Sequence, residues 1–319
     1  MQQLIQNLTT TRLNIPTVLT IGTFDGIHLG HQALLKQLVA AARQRQAQSA
    51  IITFHPRPKT VLAPHLPNND YLTTSAERTT LLARLGLDVL IVTPFTRELS
   101  QTTAHDFIKQ VAEHINLVEF WAGHDFALGK NREGNLAKLT ELGREFGYSV
   151  REIEPFLLDG QVVSSTRIRD LLRAGDVRSV ARLLGRRPSL SGTVVQGAQR
   201  GRKLGFPTTN LSAPPEKLIP ANGVYATFAY LSEFTLKSDD FNQPQPYPSV
   251  TNIGVRPSFE DNTPTIETHL FDFEADLYGQ TLTLEFVERL RPEKKFDHID
   301  DLVAQIGRDI AHARTIFLT

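Results

Sequence analysis

GTFDGIHLGH, residues 22–31, is the stretch from which the fold of this chain can be worked out. Before it stands TVLTI (17–21), a short apolar run that predicts a buried strand. After it Leu34, Leu35, Leu38, Val39 and Ala42 recur at helical spacing. A strand, a glycine-punctuated turn and a helix N-terminus make a cradle for phosphate. Glycine lets the backbone come close, and the free N–H groups with the helix dipole favour negative charge. His28 and His31 add imidazole donors at the same spot. The pattern points to polyphosphate chemistry and, within it, to nucleotidyl transfer. Spacing alone also allows a purely structural turn. Two histidines on one helical turn can also ligate a metal, but no third ligand stands nearby at the usual spacing and there is no H-E-x-x-H.

The chain has 319 residues, long for one domain and comfortable for two. Lys plus Arg (34) equals Asp plus Glu (34), so bulk attraction to nucleic acid or an anionic membrane is not expected. The absence of cysteine excludes disulfides, thiolate metal sites and cysteine nucleophiles. MQQLIQNLTT (1–10) lacks the basic start and apolar core of a secretory signal, and no apolar run approaches the ~18 residues of a membrane span. The expectation is a soluble cytoplasmic protein with small-molecule partners and neither nucleic acid nor membrane; homo-oligomerisation is left open.

Working outward, strand-like and helix-like stretches alternate through the first half: SAIITF (49–54), DVLIV (88–92), VEFWAG (118–123) and YSVREI (148–153) are strands. Between them, Thr74 and Glu77 have capping-box spacing ahead of Leu81, Leu82 and Leu85. Phe107, Ile108, Val111, Ala112 and Ile115 mark one helix, and residues 136–146 another. Such alternation predicts an α/β domain, a parallel sheet with helices on both faces that binds ligands beyond the carboxyl ends of its strands. The turns at Gly22, Thr53 and Gly123 all fall there. GRRPSLSG (185–192) reads as a hinge, giving domains 1–185 and 186–319. Beyond it LSGTVVQ (190–196), GVYATFAYL (223–231), PSVTNIG (248–254), PTIETHLFDF (264–273) and TLTLEFVERL (281–290) predict an antiparallel barrel or sandwich. A terminal amphipathic helix carrying Ile299, Leu302, Val303, Ile306, Ile310 and Phe317 would pack on the barrel or plug it. Residues 232–248 read as a long exposed loop.

Three more segments converge on the first site. TFHPRP (53–58) leaves a strand through two prolines. AGHDFALGKNREG (122–134) is glycine-rich and basic, yet it fails as a Walker A motif because five residues separate Gly123 from Gly129 and Asn131 follows Lys130. VSSTRIRDLL (163–172) sets Ser164, Ser165 and Thr166 at a helix start with Arg167 and Arg169 after them, suited to a pyrophosphate leaving group or simply to capping.

In the second half, GTVVQGAQRGRKLGFPTTN (192–210) carries Gly197, Gly201 and Gly205 with Arg200, Arg202 and Lys203. It reads either as a flap over a nucleotide tail or as a solvated surface loop. Thr208 and Asn210 share one side of an extended segment, so an oxygen from each can hold Mg²⁺. Strand alternation puts Glu267 and His269 on one face, opposite Ile266, Thr268 and Leu270. A carboxylate directed into a barrel is costly, so Glu267 is either a general base or one half of a salt bridge.

GTFDGIHLGH, the 123–134 loop and SSTRIR, in this order, resemble the FAD synthetase module of the bifunctional bacterial riboflavin kinase/FAD synthetases. LGFPTTN, NIGVRPSF (252–259), IETH, DLYG (276–279) and RLRPEKKF (289–296) resemble the successive motifs of their kinase domain. The resemblance covers nearly the whole chain. It implies a nucleotidyltransferase-type sheet followed by an antiparallel β-barrel with a terminal helix. It further implies phosphorylation of riboflavin to FMN by ATP with Mg²⁺, then adenylyl transfer from ATP to FMN giving FAD and pyrophosphate. By resemblance, His28 and His31 bind ATP phosphates and stabilise the α-phosphorus, while Ser164, Ser165, Thr166 and Arg169 hold the departing pyrophosphate. Gly22, Phe24 and Asp25 shape the nucleotide pocket, and Asp125 lies where adenosine or flavin is contacted. Thr208 and Asn210 take magnesium and phosphates, with Gly197 and Lys203 in the adjoining loop. Glu267 is the base on the ribityl hydroxyl, and Arg291 falls in a segment that closes over flavin. The family usually has an acidic residue and a histidine where this chain has His55 and Arg57, and more aromatic and basic residues than Phe126-Ala127-Leu128 after Asp125. It commonly has alanine at Thr209 and threonine at Ser258. Because the FMN phosphate attacks ATP directly, no covalent nucleophile is required and positioning with electrostatics carries catalysis. The rivals are adenylylation of another phosphorylated acceptor, such as phosphopantetheine or nicotinamide mononucleotide, and a nucleotide-binding regulator without catalysis.

Overall fold

The structure, a computed structural model, describes residues 1, 3–5, 7–65, 70–197, 201, 204–231, 246–255 and 264–318. Most of the 232–248 loop, Arg200, Arg202, Lys203 and Ser258 lie outside them. The chain divides into two compact units, Met1–Ser165 and Thr166–Thr319.

The first unit is built on a six-stranded parallel sheet. Its strands are β1 (Gln3–Ile5), β2 (Leu13–Ile21), β3 (Gln48–Phe54), β4 (Val89–Thr93), β5 (Ile115–Gly123) and β6 (Ser149–Ile153), ordered β1-β4-β3-β2-β5-β6. The crossover helices are α1 (Leu29–Gln44), α2 (Pro58–Leu62), α3 (Ser75–Arg84), α4 (Ala104–His114) and α5 (Leu136–Phe146). Alternation along each strand explains the two-sided cover. Val18 and Trp121 pack with Leu38, Ala41 and Ala42 of α1, whereas Leu19, Phe120 and Ala122 pack with Phe107, Ile108, Leu139 and Leu142 of α4 and α5. The Thr74–Glu77 capping box is formed and starts α3.

Two details differ from the sequence reading. Ile115 is the first residue of β5, paired with Leu13, because α4 ends at His114 and the backbone turns extended there. β2 begins at Leu13, and Pro16 is accommodated at a register irregularity between Leu13 and Thr17. A small hairpin of β7 (Leu157–Leu158) and β8 (Gln161–Val162) follows β6.

The second unit opens with α6 (Ser165–Ala174), whose first residue still belongs to the first unit, and α7 (Val177–Leu184). A closed antiparallel barrel comprises β9 (Ser189–Val195), β10 (Thr209–Ser212), β11 (Gly223–Leu231), β12 (Tyr247–Val255), β13 (Pro264–Leu270) and β14 (Thr281–Arg291), ordered β10-β13-β12-β11-β14-β9. Its interior mixes apolar side chains with a chain of buried hydroxyls. Thr227 meets Ser249 and Thr251 at 2.8 Å each, and Thr251 meets Thr268 at 2.9 Å. The terminal helix α8 (Ile299–Phe317) packs on the barrel rather than plugging it: Ile310, Ala313, Ile316 and Phe317 sit against Val224, Ala226, Val250 and Phe271 on its outer face.

Candidate active sites

The first site is raised on the turn between β2 and α1, beyond the carboxyl end of the sheet. Its backbone is unusual: Phe24 (φ 46°) and Ile27 (φ 41°) are left-handed without being glycine, and Gly26 (φ 85°) sits between them. Each such non-glycine residue costs about 1–3 kcal/mol, which the surroundings must offset. They do so peptide by peptide. The Arg78 guanidinium and the Thr53 hydroxyl donate to the Thr23 carbonyl, at 3.0 and 3.3 Å. The Gly26 N–H donates to Thr73 Oγ1 at 3.0 Å, and the Gln32 amide to the Ile27 carbonyl at 2.9 Å. Ser165 Oγ, at the start of α6, donates to the Asp25 carbonyl at 2.8 Å, joining the hydroxyl-bearing segment to the glycine turn. The Asp25 carboxylate, 0 % exposed, faces inward and accepts from the Leu72 and Thr73 N–H groups, the Thr73 hydroxyl and Arg57.

His28 is the N-cap of α1, and its Nδ1 accepts the His31 N–H at 3.3 Å. The two rings stack with centroids 3.7 Å apart, and Phe24 meets His31 edge-on at 5.1 Å. Space beneath them is tight: a Cβ on Gly30 would stand 3.2 Å from the His28 ring and one on Gly22 3.0 Å from the Phe24 ring, so either substitution would make a ring of the site shift. Burial first, and the neighbouring His28 second, hold the His31 pKa well below the ordinary histidine value. Its Nδ1 is enclosed and has no hydrogen-bond partner among the described residues. Beside the pair opens a cleft of about 410 Å³ lined by His28, Gly30, Leu34, Gly123, Phe156 and Val163, among others. Gly22, Phe24, Asp25, His28, His31, Ser164 and Ser165 thus gather around one end of the sheet. Asp125 stands apart, exposed on the loop after β5, its carbonyl accepting from Arg132 at 2.9 Å. Thr166 is exposed and Arg169 half-buried on α6.

In the second unit, Asn210 of β10 is aligned with Glu267 of β13, Glu267 with Asn252 of β12, Asn252 with Val224 of β11, and Val224 with Arg291 of β14. This cross-strand row lies on the outer barrel face. Glu267 is therefore not directed into the barrel, which corrects the sequence expectation. Ile266, Thr268 and Leu270 occupy the interior, so strand alternation sends Glu267 and His269 outward. There they line a cavity of about 680 Å³ with Thr208, Asn210, Asn252 and Arg291, flanked by Leu302, Ile306 and Asp309 of α8. Arg291 holds Asp309 through two nitrogens, at 2.8 and 3.0 Å, anchoring the helix at the cavity's edge.

Gly197 and Gly201 bring backbone against the proposed phosphate-facing residues. A Cβ on Gly197 would overlap the Asn210 amide, and one on Gly201 would lie 3.1 Å from Thr208 Oγ1. His269, which the sequence reading left without a role, donates from Nδ1 to the Pro207 carbonyl at 2.8 Å, next to Thr208. The donors offered by Thr208 and Asn210 are hard oxygens, of the kind magnesium takes, and no cluster of three or more His, Asp or Glu side chains suited to a metal occurs among the described residues.

Comparison with known proteins agrees with this geometry. The family described as FAD synthetase matches residues 10–167, and the riboflavin kinase family matches residues 184–317. Proteins named bifunctional riboflavin kinase/FMN adenylyltransferase are similar over most of the chain. The one from Haemophilus influenzae is 35 % identical across 94 % of both chains. That from Escherichia coli K12 is 34 % identical over 94 % of this chain and 92 % of its own, and that from Bacillus subtilis is 32 % identical over the same shares. A crystal structure described as a macrolide-efflux protein from Streptococcus pneumoniae superposes with a TM-score of 0.87 and 30 % identity over 98 % of both chains. No helix among the described residues is long and apolar enough to cross a membrane. With both family matches falling in chain order on the two clefts, this chain belongs to the bifunctional riboflavin kinase/FMN adenylyltransferase family.

Proposed function

We propose that the two clefts divide two successive ATP-dependent reactions between them, riboflavin phosphorylation in the second unit and FMN adenylylation in the first. The activity itself, riboflavin kinase with FMN adenylyltransferase, follows from family membership; the roles of individual residues are the proposal. The observation that carries the division is that each cleft is lined from within one compact unit, the histidine cleft by residues 28–163 and the Glu267 cleft by residues 201–309. We draw the boundary between the activities at 185/186, in the hinge that joins α7 to β9.

In the kinase cleft, Glu267 takes the proton from the ribityl 5′-hydroxyl as its oxygen attacks the γ-phosphorus of ATP, and ADP leaves as the bond from that phosphorus to the β,γ-bridging oxygen breaks. Thr208 and Asn210 would hold Mg²⁺ together with the nucleotide phosphates. The ion's contribution when bound is neutralisation of phosphate charge. Gly197 allows the backbone to lie against Asn210, Lys203 adds a cation to the same segment, and Arg291 orders the wall under the flavin. His269 steadies the Pro207 carbonyl and so the start of the Thr208 segment.

In the adenylyl-transfer cleft, the FMN phosphate displaces pyrophosphate from the α-phosphorus of ATP in line. His28 and His31 lie against the phosphates. Burial holds the His31 pKa down, and the negative charge of an arriving polyanion opposes that shift, favouring a protonated donor where transition-state charge builds. Ser164, Ser165, Thr166 and Arg169 receive the leaving pyrophosphate at the helix start. Gly22, Phe24 and Asp25 keep the turn in shape, and Asp125 reaches the adenosine or flavin from the rim. The substrates are small molecules, and cytoplasm is the compartment we assign.

The test is incubation of the purified chain with riboflavin, ATP and Mg²⁺, followed by chromatography. FMN appearing first and FAD after it is the expected result. FMN without FAD would point to a different acceptor in the first cleft, and neither product would point to a binding protein.

A further inference from the structure

We propose that Arg57 is a positioning residue for adenylyl transfer: its buried guanidinium ties Asp25 to Asp70 and thereby fixes the left-handed turn that aims His28 and His31. The inference rests on the assignment of FMN adenylylation to the first cleft.

Arg57 leaves β3 on the TFHPRP segment, where it is the N-cap residue of α2. It is 5 % exposed, as few arginines are. One guanidinium nitrogen lies 3.1 Å from the Asp25 carboxylate and also donates to the Asp70 carbonyl at 3.4 Å; the other bonds the Asp70 carboxylate. The guanidinium sits 3.7 Å above the Tyr71 ring, and the Arg57 N–H donates to the Tyr71 hydroxyl at 3.0 Å. Burial opposes its charge, but the Asp70 hydrogen bond and the charges of Asp25 and Asp70 outweigh that and raise its pKa.

Asp25 stands between Phe24 and Gly26, inside the strained turn, so whatever fixes its carboxylate fixes the backbone leading to His28. Asp70 has a second cation at 3.7 Å, the largely exposed Lys59. The planar two-nitrogen fork is what spans both carboxylates, a geometry lysine cannot reproduce. Arg57 touches neither histidine and is not among the residues lining the cleft. Its influence therefore passes through Asp25.

The experiment uses the full chain with Arg57→Lys, Arg57→Met and the double variant Arg57→Met with Asp70→Asn. Both activities and thermal unfolding are measured on each, the kinase serving as internal control. Displacement of reacting groups by an ångström costs about 100-fold, so Arg57→Met should lower adenylyl-transfer kcat by about that factor and Arg57→Lys by about 10-fold. KM for ATP and FMN should move far less than kcat, and kinase kcat and KM should not move. The double variant removes Arg57 and one of its two carboxylate partners, leaving Asp25 held by the Leu72 and Thr73 donors, and should recover part of the lost melting temperature without recovering turnover. Turnover returning together with melting temperature would show a merely structural role and overturn the proposal. So would wild-type adenylyl transfer in Arg57→Lys and Arg57→Met. Should Arg57→Met fail to fold, the lysine and double variants decide the question. A wild-type chain that makes no FAD would instead sink the underlying assignment.

Discussion

In the first unit most of the proposed site residues hang on one short turn, residues 22–31, whose strained backbone is held by hydrogen bonds to α3, β3 and the 70–73 segment. In the second unit they are spread over regular strands: Asn210, Glu267, Asn252 and Arg291 come from β10, β13, β12 and β14, and none of these strands needs left-handed non-glycine backbone at the row itself. The difference teaches where rigidity comes from. A site made of backbone must be clamped locally, residue by residue. A site made of side chains on a closed barrel inherits its order from the barrel. Damage near the first site should therefore travel into catalysis without touching a substrate, whereas damage to the second should stay with the altered side chain.

The sharpest break of that comparison is His28→Ala with His31→Ala. Each lost donor of developing charge costs about 10²–10³ in kcat, so adenylyl transfer should fall by on the order of 10⁴ while riboflavin phosphorylation is unchanged; FMN then accumulates in the chromatogram. Glu267→Gln should do the reverse, lowering the kinase by about 10³ with FMN-to-FAD conversion intact. Gly197→Ala pushes a methyl group into the Asn210 amide, and it should raise KM for ATP in the kinase reaction by about 10-fold with a smaller change in kcat. Removing the carboxylate of Asp309 strands Arg291, 20 % exposed, at the cavity edge. The loss of that partner should cost about 3 kcal/mol, read in urea unfolding of the kinase unit by near-ultraviolet circular dichroism.

The smallest effect is a pH dependence confined to the first unit. Below about pH 6.5 the unfolded chain binds a proton on residue 31 that the folded one refuses, because burial and His28 depress the folded pKa. Stability is then greatest above that pH and falls as the solution is acidified, by roughly 1.4 kcal/mol for each unit of pKa difference. Trp121, the single tryptophan, is buried in this unit, so its fluorescence reports the transition. His31→Gln should flatten the slope between pH 7 and 5, and an unchanged slope would show that residue 31 is not its source.

The sheet and barrel were legible in the sequence because both rest on hydrophobic period, and the strands at 49–54, 88–92, 190–196 and 223–231 fall within a residue or two of the observed bounds. β1 was not legible: three residues with an exposed Leu4 carry no period, and only pairing with β4 makes them a strand. The first site's motif is contiguous, so His28 and His31 stood out. What fixes that motif did not, since Arg57 and Asp70 approach Asp25 from segments 32 and 45 positions away and have no shared spacing. The alternation placing Glu267 opposite Thr268 was readable, but which face was interior was not, because both faces of the strand mix polar and apolar side chains: Thr268 lies inside with Ile266 and Leu270, and Phe271 lies outside with His269.

The hydroxyl filling of the barrel has a bearing on evolution and on engineering. Thr227, Ser249, Thr251 and Thr268 mate like teeth of a zip across three neighbouring strands, so a slip of β13 by one position would seal an acid in the dark centre and leave oxygens there unmated. The inside of the cylinder thus guarantees the outward aim of the acid behind which it sits. Replacing one tooth with valine is therefore the exception in this unit, a change inside the barrel that should be felt by Glu267 although the two never meet.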